Sequence, residues 1–200
     1  VLVVGSQKAL MCPPGLAFLA VSPAAWKQIE SFRRPTFYLD LLAYRKALAQ
    51  PDTPYTPAVS LVAALAESLR LIRAQGMETI WARARVLARA ARAGVEALGM
   101  QLVASRPADS LTAVYFPPGI DGKTFLNRLE ARFGLKLARG QGPLKGRAFR
   151  IAHLGQFDEL DILSAIAAIE LVLAELGHPV ALGSGVAAAG RVMTEQLPDA

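Results

Sequence analysis

One lysine, Lys8, lies directly behind a short apolar strand at the start of the chain. The strand, residues 1–4 (VLVV), is rich in β-branched residues, is predicted to be buried and ends at Gly5-Ser6. Ligands of α/β sheets bind beyond the carboxyl ends of the strands. A lysine held in such a place can lose its proton and form a Schiff base with a carbonyl cofactor. The same pattern is also typical of a loop lysine that faces water.

Two further residues are of types that suit an anionic ligand. Arg150 stands in an apolar stretch, residues 148–154, and its planar guanidinium can form two parallel hydrogen bonds to a carboxylate. An arginine in such a strand needs a partner, so a structural salt bridge fits equally well. Thr56 precedes a long helical pattern, where a hydroxyl and free backbone N–H groups make a good anion site. A helix cap is the alternative there.

These residues lie in three stretches that together resemble the class V aminotransferases, the family that includes alanine–glyoxylate and serine–glyoxylate aminotransferases. Residues 5–15 (GSQKALMCPPG) resemble the active-site lysine motif of that family. Residues 54–57 (PYTP) are similar to its Tyr-Thr-Pro segment, which opens a long helix. Residues 149–155 (FRIAHLG), behind a glycine-rich connector at 140–146, resemble its second signature, although Ala152 stands where glycine is usual.

The resemblance implies a pyridoxal-phosphate (PLP) enzyme of fold type I. Lys8 would carry the cofactor and serve as the catalytic residue. Gln7, Tyr55 and Thr56 would bind the cofactor, with Thr56 reaching the phosphate group in the partner subunit. Arg150 would bind the substrate carboxylate, and no metal is implied. The expected assembly is therefore a homodimer with shared active sites.

The implied reaction moves an amino group from a small amino acid, alanine or serine, to a 2-oxo acid such as glyoxylate. A phosphoserine aminotransferase or a PLP lyase of the same fold is an alternative within the enzyme class. The alternative from another class is a non-enzymatic C-terminal fragment that acts as a dimerisation module through its long helices.

Three other features have ordinary structural interpretations. Cys12, the only cysteine, is interpreted as a buried small residue and not as a nucleophile of the desulfurase kind. His153 is interpreted as a core histidine. Arg85, Arg89 and Arg92 share one face of a predicted helix, which we expect to be solvated.

Composition narrows the class of protein further. With 53% hydrophobic and 19% charged residues, the sequence is typical of a globular domain with its own core. The net charge is +6, but no zinc-ligand pattern or RNA-binding motif accompanies it, so we expect no nucleic-acid partner. No apolar run reaches the length of about 18 residues that a membrane span needs. A single cysteine and the absence of a targeting pattern favour a cytoplasmic location.

The predicted organisation is α/β in three parts. Residues 1–57 are expected to be the end of a PLP-binding large domain, residues 58–177 two linking helices and a small α+β domain, and residues 178–200 a tail of small residues. In the small domain, strands are predicted at 100–105, 111–116, 135–138 and 148–154, and helices at 122–133 and 159–176.

The sequence is also expected to be the C-terminal part of a longer enzyme. In the family, the carboxylate that contacts the ring nitrogen precedes the lysine, and residues 1–7 contain no candidate for it. We therefore expect a further N-terminal region of about 100–200 residues. Without it, apolar surface within residues 1–57 should be exposed, and the chain by itself should not be a working enzyme.

Overall fold

The computed structural model describes residues 1–32 and 35–195. The chain divides into two compact units, Val1–Ala74 and Gln75–Ala200, which are described separately below. Within the described ranges, no helix combines the length and the apolar character needed to cross a membrane. The division falls later than the predicted boundary at residue 57, because the long helix that follows Pro57 packs on the first unit. In that helix, the Ser68 hydroxyl donates a hydrogen bond to the carbonyl of Leu10.

The first unit is a β-hairpin followed by helices. The strands pair antiparallel, with Val3 opposite Leu19. Ser22 caps the first helix as predicted, because its hydroxyl accepts a hydrogen bond from the Ala25 N–H (3.3 Å). The second helix is shorter than the predicted 37–48, since the Asp40 carboxylate caps it by accepting from Leu42 N–H. The elements are β1 (Leu2–Gly5), β2 (Ala17–Ala20), α1 (Pro23–Ser31), α2 (Leu41–Leu48) and α3 (Val59–Gln75).

The first strand is not buried, contrary to the prediction from its composition. Val1, Leu2 and Val3 are 66%, 63% and 65% exposed. The reason is that β1 pairs with β2 alone among the described strands, so its other edge and much of its surface are uncovered. Phe37 and Leu39 are also largely exposed. The expected exposure of apolar surface within residues 1–57 is therefore confirmed.

The second unit is a small α+β domain. Its three strands form one antiparallel sheet in the order β3-β5-β4. The helix at 122–133 has the predicted bounds: the Asp121 carboxylate accepts from Thr124 N–H (2.8 Å), and Gly134, with φ 66°, ends it. The elements are α4 (Met77–Ala97), β3 (Leu111–Tyr115), α5 (Gly122–Phe133), β4 (Ala138–Arg139), a 3-10 turn (Gly142–Leu144), β5 (Ala148–Ala152), α6 (Glu159–Glu175) and α7 (Ser184–Thr194).

The helices bury one face of this sheet. Val114 of β3 and Phe149 of β5 are fully buried, as are Phe125 of α5 and Ile166 of α6. Because successive residues of a strand face opposite sides, Arg150 faces away from this core. Two predicted strands differ from the structure. Residues 100–105 form only a single bridge, Leu102 to Val114, and β4 spans two residues where residues 135–138 were predicted.

The prediction of a tail at residues 178–200 is wrong for Ser184–Thr194, which form helix α7. This helix packs on α4 and α6 through small residues, with Ala189 completely buried. A Cβ added at Gly185 would come within 3.0 Å of the side chains of Leu98 and Ile166, so those side chains pack directly against the backbone of α7. Two glycines, Gly185 and Gly190, lower the helix propensity of this stretch, which is why its composition predicted a tail.

Candidate functional site

Lys8 lies in a tight loop between β1 and β2, and the buried Ser6 closes the base of that loop. The Ser6 hydroxyl donates to the carbonyl of Pro13 (2.7 Å) and accepts from the N–H of Leu16 (3.3 Å). The Ser6 carbonyl accepts from the N–H of Cys12 (3.1 Å). The loop that carries Lys8 is therefore fixed at its base, and Cys12 is buried as expected.

The Lys8 side chain is exposed, and no ion pair or hydrogen bond to its ammonium group is present in the part of the chain that the structure describes. Its backbone carbonyl accepts from the N–H of Met11 (2.9 Å), which tightens the turn. The neighbouring Gln7 is exposed too, and its side chain folds back over Gly5. A lysine on a fixed loop, without a carboxylate partner, fits a cofactor that offers an aldehyde.

Tyr55 anchors the segment that leads into α3. Its hydroxyl donates to the carbonyl of Phe37 (2.7 Å). Its ring packs against Phe37, Tyr38 and Tyr44, with centroid distances of 5.4, 5.0 and 6.4 Å. This aromatic cluster holds the backbone just before Thr56 in one place, while the Tyr55 oxygen can still accept a hydrogen bond.

Thr56 follows this anchor and is exposed. Helix α3 begins at Val59, and within the described ranges the Thr56 hydroxyl accepts no hydrogen bond from its first turn. The helix-cap alternative is therefore not what this structure has. The hydroxyl is free to donate to an anion.

Arg150 lies in the middle of β5 within a ring of four alanines. Ala113 of β3 and Ala138 of β4 are its cross-strand partners. Ala148 and Ala152, two residues away along the strand, share its face of the sheet. Each of these four neighbours ends in a methyl group, so none of them offers the guanidinium a polar partner.

The Arg150 guanidinium is also unpaired. Its Nε is buried and has no hydrogen-bond partner among the described residues, and no carboxylate in those ranges forms a salt bridge with it. The structural salt bridge considered as an alternative is thus not seen. A buried donor without a partner is costly, and a carboxylate ligand would satisfy it with a two-pronged contact.

A second polar cluster lies near the end of β5, and the sequence did not indicate it. His153 is 1% exposed, which confirms a core histidine, and its Nδ1 lies 3.4 Å from the carbonyl oxygen of Asp109. Arg92 donates to the carbonyl of Ala108 (2.7 Å) and pairs with the Asp109 carboxylate (3.4 Å). Burial, with Arg92 nearby, lowers the pKa of His153 to about 4. This histidine is therefore neutral at neutral pH.

The basic helix face is only partly solvated. Arg85 is 65% exposed, but Arg92, expected on the same solvated face, is 14% exposed because it turns to Asp109. No periodicity signals this pair, since the partners belong to a helix and a loop. Within residues 1–32 and 35–195, no group of three or more His, Cys, Asp or Glu residues could hold a metal ion.

The structure places the predicted site residues in both units. Lys8, Gln7, Tyr55 and Thr56 belong to the first unit, and Arg150 to the second. Within the first unit, the lysine loop and α3 are joined, because Leu61 of α3 packs over Gly15 at the end of that loop. The helix that follows Thr56 is thus attached to the loop that carries Lys8.

Residues 1–144 match the family model described as aminotransferase class-V. The chain belongs to this family. It is 46% identical over 193 residues to the soluble hydrogenase small subunit of a Synechococcus strain, covering 95% of this chain and 50% of that protein. It is 40% identical over 190 residues to the L-aspartate–glyoxylate aminotransferase of Paracoccus denitrificans, covering 94% of this chain and 48% of that protein. The chain spans about half the length of the curated relatives it matches.

The same class-V fold is found in solved structures. The pyridoxamine–pyruvate aminotransferase of Mesorhizobium loti superposes with a TM-score of 0.92 at 31% identity, over 98% of this chain and 52% of that one. The expected fold class, α/β of PLP fold type I, is confirmed. The cofactor of the family is PLP. The unpaired Lys8 fits that cofactor.

Proposed function

We propose that the protein acts as a PLP-dependent aminotransferase that moves an amino group from alanine or serine to a 2-oxo acid such as glyoxylate. The observation that carries this proposal is the unpaired guanidinium of Arg150 within four alanine methyl groups. The Arg150 guanidinium can bind one carboxylate through two hydrogen bonds, and β5 carries no second cationic side chain. This arrangement suits an amino donor that has a single carboxylate.

The proposed roles follow from the chemistry of each group. When bound, PLP supplies an aldehyde for the substrate amino group and a ring that withdraws electrons from the substrate Cα. Lys8 would hold the cofactor, and its amine would take the proton from the substrate Cα as general base. Arg150 grips the substrate carboxylate with two parallel hydrogen bonds and so fixes the orientation of the Cα–H bond. Gln7 and Tyr55 contact the cofactor.

The choice of donor tests the proposal. The Paracoccus relative is named for L-aspartate and glyoxylate, whereas the alanine ring predicts a donor with one carboxylate. With glyoxylate as acceptor, we expect kcat/KM for alanine or serine to exceed that for aspartate and phosphoserine by at least about tenfold, since a second anionic group would lack a charged partner. A preference for aspartate or phosphoserine would refute the donor assignment. Lack of transamination with all four would refute the activity.

We further propose a homodimer in which Thr56 serves the neighbouring subunit. Support for this proposal comes from the Thr56 hydroxyl, which is exposed next to the Tyr55 cluster and has no hydrogen bond among the described residues, so it can donate to an anion outside its own subunit. Mixing Thr56→Ala subunits with Lys8→Ala subunits should then restore activity. Each mixed dimer would contain one doubly damaged site and one intact site, so about half the activity of a wild-type dimer is expected.

The control for this mixture is each variant refolded with itself under the same conditions. The mixed species is confirmed by differently tagged subunits. If tagged mixed dimers form without regaining activity beyond that of the Thr56→Ala enzyme, Thr56 acts in the same subunit as its Lys8, and the shared site is wrong.

A further inference from the structure

His153 stands three residues after Arg150, where β5 ends. We propose that His153 is a positioning residue for Arg150: together with Arg92 and Asp109, it fixes the end of β5 against the loop before β3 and so keeps the guanidinium within its alanine ring. This inference rests on the proposed role of Arg150 in binding the substrate carboxylate.

His153 extends the pairing of β5 beyond the strand itself. Its backbone N–H donates to the carbonyl of Ser110 (3.1 Å), one step past the last strand pair, Leu111 with Ala152. Its ring then adds a side-chain contact to the next residue along, where Nδ1 lies 3.4 Å from the carbonyl oxygen of Asp109. Two successive residues of the loop are thus bound by one buried histidine.

The geometry also fixes the protonation of the ring. A carbonyl oxygen can only accept, so Nδ1 carries the hydrogen and Nε2 does not. Nε2 is buried and has no hydrogen-bond partner in the described part of the chain. Burial of the ring, and then the positive charge of the nearby Arg92, disfavour protonation and lower the pKa of His153. A neutral ring with a single donor at Nδ1 is what the contact to Asp109 needs.

The loop before β3, which His153 contacts, is in turn bound to helix α4. Arg92 of α4 donates to the carbonyl of Ala108 (2.7 Å), and Arg92 and Arg85 lie 3.4 and 3.6 Å from the two oxygens of the Asp109 carboxylate. Helix α4 is rigidly packed, since Leu87, Ala91 and Val95 are buried in the core. The position of His153 is therefore fixed relative to α4.

The placement of Arg150 depends on the β5 backbone, which pairs with β3 over five residues and ends at the His153 anchor, because the arginine side chain has no partner of its own among the described residues. On the other side of β5, β4 provides only two residues of pairing. The backbone of β5 alone decides where the guanidinium lies. Since a displacement of about 1 Å is enough to weaken a two-pronged contact, an anchor three residues away affects substrate binding without touching the substrate.

Two amide substitutions distinguish a positioning role of the Nδ1 contact from the general effect of removing a buried ring. In His153→Asn, the amide nitrogen lies near the position of Nδ1 and can donate a hydrogen bond to the Asp109 carbonyl. In His153→Gln, the amide nitrogen lies near the position of Nε2 and cannot donate to that carbonyl. In the purified holoenzyme, we expect Gln to raise KM for the amino acid about tenfold, the worth of roughly one hydrogen bond, with kcat and PLP affinity within about twofold of wild type. Asn should restore most of this loss.

A ligand that does not react provides the second measurement. Propionate has the carboxylate of alanine without its amino group, and its inhibition constant should rise in parallel with KM in the Gln variant. Arg92→Lys, which keeps the charge but loses the planar fork that reaches the Ala108 carbonyl, should produce the same selective rise. The Arg92→Lys variant replaces His153→Gln in the test if thermal unfolding shows that the Gln variant does not fold.

The positioning role is overturned if the Asn and Gln variants behave alike, or if kcat and PLP affinity fall together with the affinity for propionate. The result is distinguishable from failure of the proposed function. If the wild-type enzyme does not transaminate, or if Arg150→Lys leaves KM unchanged, the proposed function or the role of Arg150 is wrong. If both of those hold and His153→Gln has the wild-type KM, only the role of His153 is wrong.

Discussion

Lys8→Ala is expected to reduce the turnover of the complete enzyme by at least about 1000-fold. In the proposed mechanism the same amine holds the cofactor and takes the proton from the substrate Cα, and general base catalysis alone is worth about 10²–10⁴-fold. The loop should survive the substitution, because the hydrogen bonds of Ser6 close its base and the Lys8 side chain makes none with the residues that the structure describes. The loss should therefore appear in kcat, with thermal stability little changed.

Chemical labelling tests whether Lys8 carries the cofactor. Borohydride reduction of the wild-type enzyme should fix the cofactor on the peptide that contains Lys8, and mass spectrometry of the digest should find it there. Lys27→Ala is the matched control, since Lys27 is also an exposed lysine of the first unit but lies on α1. A label on any other lysine, or full activity of Lys8→Ala, would contradict the assignment.

Arg150→Lys is expected to raise KM for the amino donor by about 10- to 100-fold, because lysine cannot form the two parallel hydrogen bonds of a guanidinium. Affinity for PLP should stay within about twofold of wild type, since the proposed contact is to the substrate carboxylate. The alanine ring has room for the shorter head group, so the fold should not be disturbed. Steady-state kinetics with alanine or serine, together with PLP titration, measure both quantities.

Arg147→Lys is the matched control for this substitution. Arg147 lies just before β5 and is exposed, and its guanidinium stands 5.9 Å from the centre of the Tyr115 ring. Its conservative replacement should leave KM within about twofold of wild type, as expected for an exposed position. The role given to Arg150 would be wrong if its lysine variant lost PLP while keeping normal affinity for the amino acid, or if both variants behaved alike.

Local patterns were sufficient for the elements whose signals lie within one stretch of chain. Asp121 and Gly134 mark the ends of α5 at the predicted residues, because a cap and a left-handed glycine act over a single turn. Ser22 with Pro23 marks the start of α1 in the same way. The lysine loop was recognised from its eleven residues, and its family is confirmed by the match to residues 1–144.

Elements that depend on partners elsewhere in the chain were not recovered. The sequence does not predict helix α7 because Gly185 and Gly190 lower its helix propensity, and its stability comes from packing of Gly185 and Ala189 on other helices. Residues 100–105 have the composition of a strand, yet pair with β3 only at Leu102. The burial expected for residues 1–4 was wrong because burial depends on what covers a strand and not on its own residues.

The sequence by itself determined the types and order of the reactive groups: a lysine behind a strand, a threonine before a long helix, and an arginine in an apolar run. The tertiary structure decided their surroundings. The four alanines around Arg150 come from β3, β4 and β5, and only strand register brings them together. The link from Arg92 through Asp109 to His153 likewise joins a helix, a loop and the end of a strand. The surroundings of these residues are set by contacts between residues far apart in sequence. The spacing of residues along the chain does not predict such contacts.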